Sequence, residues 1–263
     1  MPVQKIWLFS SALALLGSGT SLAYARNTMP KNLFDKLSSV PLPDSEHRLL
    51  VLVPHPDDES LALGGYLYMC RQAGAAVRLI LVSDGNRRGL HDRRSREFSA
   101  ATRNLGIADD DLRLWGYPDG RLSEHRQEIT AKLAQEIRDY RPEMLIYSHP
   151  HDRHYDHAIL GMIAEQVLAA EPRPEIKPYA YLTHFKYYPR PVLLARHRYL
   201  LPPRANGDNN ERWEKVNLSP DAQRAKLAAL KQHRSQLRNP FLLPLFISLY
   251  RENELLEDRQ AHL

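Results

Sequence analysis

A chain of 263 residues, 43% hydrophobic and 25% charged, carries enough apolar side chains for one globular domain with a sizeable core, which excludes a disordered or low-complexity protein. Its 36 basic and 31 acidic residues give a net charge of +5, which falls to +4 if the first 25 residues, with Lys5, are removed. So small an excess, with few clustered aromatics, argues against a nucleic-acid partner. The single cysteine, Cys70, excludes an intramolecular disulfide, and its place in the helical pattern Leu63, Leu67, Cys70 makes it a small buried residue.

At the N-terminus Lys5 precedes the apolar run Ile6 to Leu16, followed by Ala23-Tyr24-Ala25, a small-x-small cleavage pattern. Residues 1–25 therefore read as a signal peptide, and the mature chain is expected in the periplasm or outside the cell. Ser10, Ser11, Gly17, Ser18 and Gly19 leave too short an apolar stretch for a comfortable retained anchor, and nothing later resembles a membrane span. Residues 26–47, with Pro30, Pro41 and Pro43, read as an N-terminal arm, and 48–263 as a single domain.

Leu49 to Val53 is a buried-type strand that stops at Pro54, so the next residues, His55-Pro56-Asp57-Asp58-Glu59, come off its end on a turn. A helix over 60–73 closed by Gly74 and a β-branched run from Val77 to Val82 complete a β-α-β unit with parallel strands. Arg87, Arg88, Arg93, Arg94 and Arg96 then form a basic cluster, which suits either an anionic substrate or a solvated helix face. A helix is expected over 92–105, a short strand over 112–115, and a turn at Tyr117-Pro118-Asp119-Gly120. The next helix, from about 124 to 140, stops before Pro142.

Met144 to Tyr147 is a further buried-type strand, and it runs into Ser148-His149-Pro150-His151-Asp152-Arg153-His154-Tyr155-Asp156-His157. A helix over 158–170, an alternating strand from Tyr179 to Phe185 and a helix over 219–237 begun by Ser219-Pro220 follow. Residues 239–263 are apolar, then charged, and show no assignable period. Alternating strands and helices predict an α/β fold: a Rossmann-like, doubly wound, mostly parallel sheet flanked by helices. Both polar clusters then fall at the carboxyl edge of that sheet, where such folds place their active sites.

Three ionisable groups beside an apolar strand need compensation, and a bound cation is one way to supply it. If His55, Asp58 and His157 converge, they make the two-imidazole, one-carboxylate set common at catalytic zinc, with a fourth position left for water. Asp57 diverges from Asp58 on an extended turn and is free to take a proton, while His154 is placed to stabilise an oxyanion or protonate a leaving amine. Asp156 is positioned to hold a histidine ring. Spacing alone leaves His149 and His151 as competing ligands.

Pro-His-Pro-Asp-Asp-Glu at 54–59 and His154-Tyr155-Asp156-His157 resemble the two motifs of the PIG-L/LmbE-like family of metal-dependent de-N-acetylases. That family includes N-acetylglucosaminyl-phosphatidylinositol deacetylase and enzymes of mycothiol and bacillithiol synthesis. The first motif is complete; in the second, normally His-Pro-Asp-His, tyrosine replaces proline. Weaker echoes extend over 49–236, in Ser83-Asp84-Gly85, Arg94 with Glu97, Tyr117-Pro118-Asp119-Gly120, and Lys226 with His233-Arg234-Ser235-Gln236.

The resemblance implies that His55, Asp58 and His157 bind Zn2+, or another divalent metal such as Fe2+. It makes Asp57 the general base, His154 the acid or oxyanion stabiliser, and Arg94 and Asp119 sugar contacts. An i, i+3 ion pair with Glu97 is the alternative for Arg94, and a turn cap the alternative for Asp119. The implied function is removal of an acetyl group from an N-acetylated amino sugar in a glycan or glycolipid, with the basic cluster hinting at an anionic one. The alternatives are an amidase acting on a different amide and a catalytically silent carbohydrate-binding module. Substrate specificity is expected to reside in loops 86–92 and 186–212.

Overall fold

The computed structural model of the chain describes residues 28–86, 89–189, 199–204 and 212–262, with single positions 19, 22 and 26. The expected signal peptide therefore lies almost wholly outside the described residues, as do Arg87, Arg88 and much of the 186–212 loop. Seven strands form one sheet in the order β3-β2-β1-β4-β5-β7-β6. They are β1 (Arg48–Val53), β2 (Ala76–Ser83), β3 (Leu112–Tyr117), β4 (Met144–Ser148), β5 (Lys177–Tyr181), β6 (Arg212–Asn217) and β7 (Asn253–Asp258). The first five run parallel, and β7 is antiparallel to both of its neighbours.

Alternation along β1 divides the core in two, as a strand buried on both faces requires. Leu49, Val51 and Val53 join one apolar cluster with α1 (Asp58–Gln72), α2 (His91–Asn104) and α5 (Pro220–Leu230). Leu50 and Leu52 join the other, with α3 (Arg126–Tyr140) and α4 (Tyr155–Ala170). The sheet is therefore doubly wound, as expected. The chain leaves β1 toward β2 on one side, whereas β4 flanks β1 on the other, so the crevice of an open α/β sheet opens between the ends of β1 and β4. Gly161 lets α4 lie close against the end of β4: a Cβ there would stand 2.3 Å from the Ser148 carbonyl oxygen.

Several boundaries differ from the expected ones. α1 and α4 begin two and three residues earlier than predicted, at Asp58 and Tyr155, so Asp58 and His157 are first-turn helical residues. β5 stops at Tyr181; Phe185 makes only an isolated bridge to Tyr188. The helix predicted over 219–237 starts as expected, with the Ser219 hydroxyl accepting from the Ala222 amide. It ends at Leu230, and a single turn at Arg234–Leu237 follows. Residues 239–263 contain α6 (Leu243–Leu249) and β7. The arm also has a place: Phe34 is buried, and the Val40 amide donates to the Lys215 carbonyl of β6 (3.0 Å).

β7 escaped prediction because its buried positions include two carboxylates. Glu254 accepts from the Gly65 and Tyr66 amides at 2.8 Å each and from Lys226 Nζ at 2.7 Å, tying α1, α5 and β7 together. Glu257 accepts from Arg259 and pairs with His149. No helix among the described residues is long and apolar enough to cross a membrane.

Lys226 and Glu254 are both almost fully buried, so removing one partner leaves an uncompensated charge. Lys226→Met is expected to destabilise the fold by about 3–5 kcal/mol, read as a lowered denaturant midpoint with an unchanged slope.

Candidate active site

The turn after β1 and the loop between β4 and α4 meet in the crevice. Three atoms converge there: His55 Nδ1 lies 3.2 Å from His157 Nε2, and Asp58 Oδ2 lies 3.2 Å from His157 Nε2 and 3.5 Å from His55 Nδ1. Tetrahedral zinc, with bonds of about 2.0–2.1 Å, spaces its ligand atoms by about 3.3 Å, so this donor triangle fits a small divalent cation. Asp58 is turned back into place by the His55 amide, which donates to Oδ2 at 3.0 Å.

Each imidazole is oriented through its outer nitrogen. His55 Nε2 donates to Asp156 Oδ2 (3.1 Å). His157 Nδ1 meets Thr183 Oγ1 (3.0 Å), whose hydroxyl in turn donates to Asp152 Oδ2 (3.2 Å). With a cation in place of the inner protons, such contacts would leave the inner nitrogens as acceptors aimed at one point. Two other groups also have ligand atoms within 4.8 Å of one another, His55 with His154 and His157, and His55 with Asp119 and Asp156.

The local potential is negative. Arg94 is the one permanent cation among the described residues lining the site, against Asp57, Asp58 and Asp119, with Asp152 and Asp156 behind them. Burial works against charge on His55, yet Asp156 and Asp58 lift it to about 9; His157 is likewise raised well above the usual range by Asp58 and Asp152. Asp58, though desolvated, is held well below the ordinary carboxylate range by the two imidazoles. A site that draws protons so strongly also attracts a divalent cation.

Asp57 stands beside the triangle with different properties. Its carboxyl is pushed up to about 6 by burial, against the opposing pull of Arg94, whose Nη2 lies 3.5 Å from Oδ2. Its backbone is strained, with φ 151° and ψ −24°, a region non-glycine residues rarely occupy. Its amide donates to Glu59 Oε2 (3.0 Å), and Glu59 Oε1 accepts from His233 Nε2 (2.9 Å). His233 thus braces the motif from the break after α5.

His154 keeps Nδ1 buried without a hydrogen-bond partner, and burial together with the neighbouring imidazoles pushes its pKa down to about 3. It is a neutral ring with a free polar atom. Arg94 turns toward the site and away from Glu97, which binds the amide and hydroxyl of Ser235. Its Nη1 donates to Asp119 Oδ2 and to the Gly85 carbonyl (3.2 Å each), and its Nη2 to the Pro56 carbonyl (3.1 Å). Gly85 is needed there: at φ +59°, a Cβ would stand 2.7 Å from the Pro56 ring. Asp119 does not cap its own turn; Asp84 and Asp156 accept the Asp119 and Gly120 amides instead.

His149 and His151 do not join the triangle. His149 Nε2 is bonded to Glu257 and its Nδ1 accepts from the His151 amide. Asp152, Thr183 and His184 do reach the site, and sequence reasoning passed over all three. His184 packs against His154 and His157, with ring centroids 5.6 and 5.2 Å away. The extended pattern expected through Phe185 concealed it; an imidazole just beyond an apolar strand was the available signal. A cavity of about 110 Å³ above these groups shares His154, His184, Leu242 and Leu245 with a cleft of about 770 Å³.

Residues 50–168 match the family model described as PIG-L, GlcNAc-PI de-N-acetylase. Over these residues the chain is similar to that family. A probable N-acetyl-alpha-D-glucosaminyl L-malate deacetylase 2 of Bacillus anthracis is 28% identical over 142 residues, 49% of this chain and 62% of that protein. The chain spans about three fifths of the length of the curated relatives it matches. Among solved structures, a conserved protein of Thermus thermophilus superposes with a TM-score of 0.60 at 23% identity, covering 81% of this chain and 94% of that one. The N,N'-diacetylchitobiose deacetylase of Pyrococcus horikoshii gives a TM-score of 0.56 at 20% identity, covering 81% and 82%. At these identities the likeness is one of fold.

The strain in the PIG-L-like motif has a measurable consequence. Glycine accepts the Asp57 backbone conformation, releasing about 1–3 kcal/mol of strain, less about 0.5–1 kcal/mol for the added freedom of the unfolded chain. Asp57→Gly is therefore expected to raise the melting temperature, and an unchanged or lowered value would contradict stored strain at this position.

Proposed function

We propose that this protein is a metal-dependent de-N-acetylase that hydrolyses the acetamide of an N-acetylated amino sugar of the glucosamine type, carried on a glycan or glycolipid. The observation that carries this reading is the donor triangle of His55, Asp58 and His157 with Asp57 unligated beside it. The names of the relatives support the same chemistry and substrate class. Zinc is the metal proposed, with ferrous iron the substitute.

His55, Asp58 and His157 would hold a divalent cation, which would supply Lewis acidity for the attack of water on the amide. Asp57, with its pKa near 6, accepts the proton of the attacking water and then carries it to the departing amine. Neutral His154 donates a hydrogen bond to the amide oxygen as that oxygen gains charge. Asp156, Thr183 and Asp152 keep the imidazoles aimed, and Arg94 and Asp119, paired in the cavity wall, bind sugar hydroxyls. Residues 1–25 direct export, so the reaction takes place in the periplasm or outside the cell; the Ala23-Tyr24-Ala25 site supports this reading.

Acetate release from N-acetylglucosamine-type substrates, measured with metal content on the same sample, tests the proposal, and activity that survives chelation would sink it. Longer acyl analogues in the same panel separate a deacetylase from a general amidase. Asp57→Asn is expected to retain metal and to lose about 10²–10⁴-fold in kcat. His154→Ala is expected to lose about 10²–10³-fold with its metal in place. Export predicts a mature protein beginning at Arg26, read by intact mass of the chain recovered outside the cytoplasm.

A further inference from the structure

One wall of the large cleft is the segment 238–250, and it is built in an unusual way. α6 buries Phe246 and Leu249 inward and turns Leu242 and Leu245 toward the active site. Leu243, Ile247 and Tyr250, spaced i, i+4 and i+7, nevertheless face solvent, Ile247 at 48% exposure, and Phe241 just ahead of them is 86% exposed. Apolar side chains on the solvent side of a helix that already buries an apolar side belong in an apolar environment, and water does not provide one. Along the segment itself the charge is of one sign, while the carboxylates of the active site lie behind its inner side. No acidic residue occurs from Lys231 to Arg251, Arg234 and Arg238 are exposed, and the opposite wall carries exposed Lys186 among Phe185, Tyr187 and Tyr188.

We infer that this face, formed by 238–250 and the Lys186 wall, docks the protein on an anionic lipid surface, with the mouth of the active-site cleft toward the bilayer. Exposed aromatic and aliphatic side chains flanked by arginine and lysine are the signature of a segment that lies in the headgroup region without spanning it. A second copy of the chain fits poorly, because a two-fold contact would set these basic residues against each other. An anionic polysaccharide would satisfy the arginines and leave Leu243 and Ile247 in water. The inference is independent of which amide the enzyme cleaves.

Cosedimentation of the mature chain, from Arg26 onward, with vesicles of phosphatidylcholine alone, or mixed with phosphatidylglycerol, tests it. The anionic lipid is expected to tighten binding by about tenfold. Phe241→Ser combined with Ile247→Ser is expected to weaken it by about a hundredfold, since both side chains lose their burial in lipid. Both substitutions lie at exposed positions, so the melting temperature should be retained. Arg234→Gln with Arg238→Gln should abolish the preference for anionic vesicles. Because this chain lacks the apolar run of residues 6–16, equal binding by wild type and the Phe241/Ile247 variant would overturn the inference. So would a dimer by light scattering that the same variant dissociates, or equal affinity for a soluble anionic polysaccharide.

Discussion

Everything at this site follows from the crowding of buried carboxylates around two imidazoles at the point where the sheet reverses its winding. Asp57, Asp58, Asp152 and Asp156 are all buried, and among the described residues only Arg94 opposes them with a fixed charge at the lining. Repulsion of that kind is tolerated where each group has an assigned partner or a cation is drawn in. Here Asp156 and Asp152 are spent on orienting the rings, and Asp58 shares their inner side. Asp57 alone has no strong partner, and burial keeps it near the pH at which a base is useful.

The scaffold explains how adjacent residues reach such different environments. Val53 ends in a proline turn, and the chain then twists through the strained Asp57 to begin α1 at Asp58. The twist sends one carboxylate to the imidazoles and the other to Arg94. The Glu59 carboxylate grips the Asp57 amide and is itself held by His233, a residue 174 positions further along. The break after α5 is thus part of the site's support, since His233 leaves the helix to reach Glu59.

The same logic of paired charge governs the far side of the sheet. Glu254 satisfies the backbone of α1 while neutralising Lys226, and Glu257 pairs with Arg259 and hydrogen-bonds to His149. These pairs withdraw His149 from the triangle. They also make β7 look, in sequence, like a charged tail. Period-based reading treats Glu and Asp as outward residues, so a strand whose acids point inward to buried partners leaves no pattern to follow.

Local sequence determined the parallel half of the sheet, its helices and the place of both polar clusters at strand ends, because apolar strands ending at Pro54 and Ser148 announce both strand and turn within a few residues. The doubly wound class was legible for the same reason. Only the tertiary structure decided that His149 points to β7, that Arg94 faces Asp119 and not Glu97, that Asp152, Thr183 and His184 complete the site, and that β6 and β7 extend the sheet. Each of those outcomes depends on a partner distant in sequence, and burial energy assigns such partners only when the whole chain is packed.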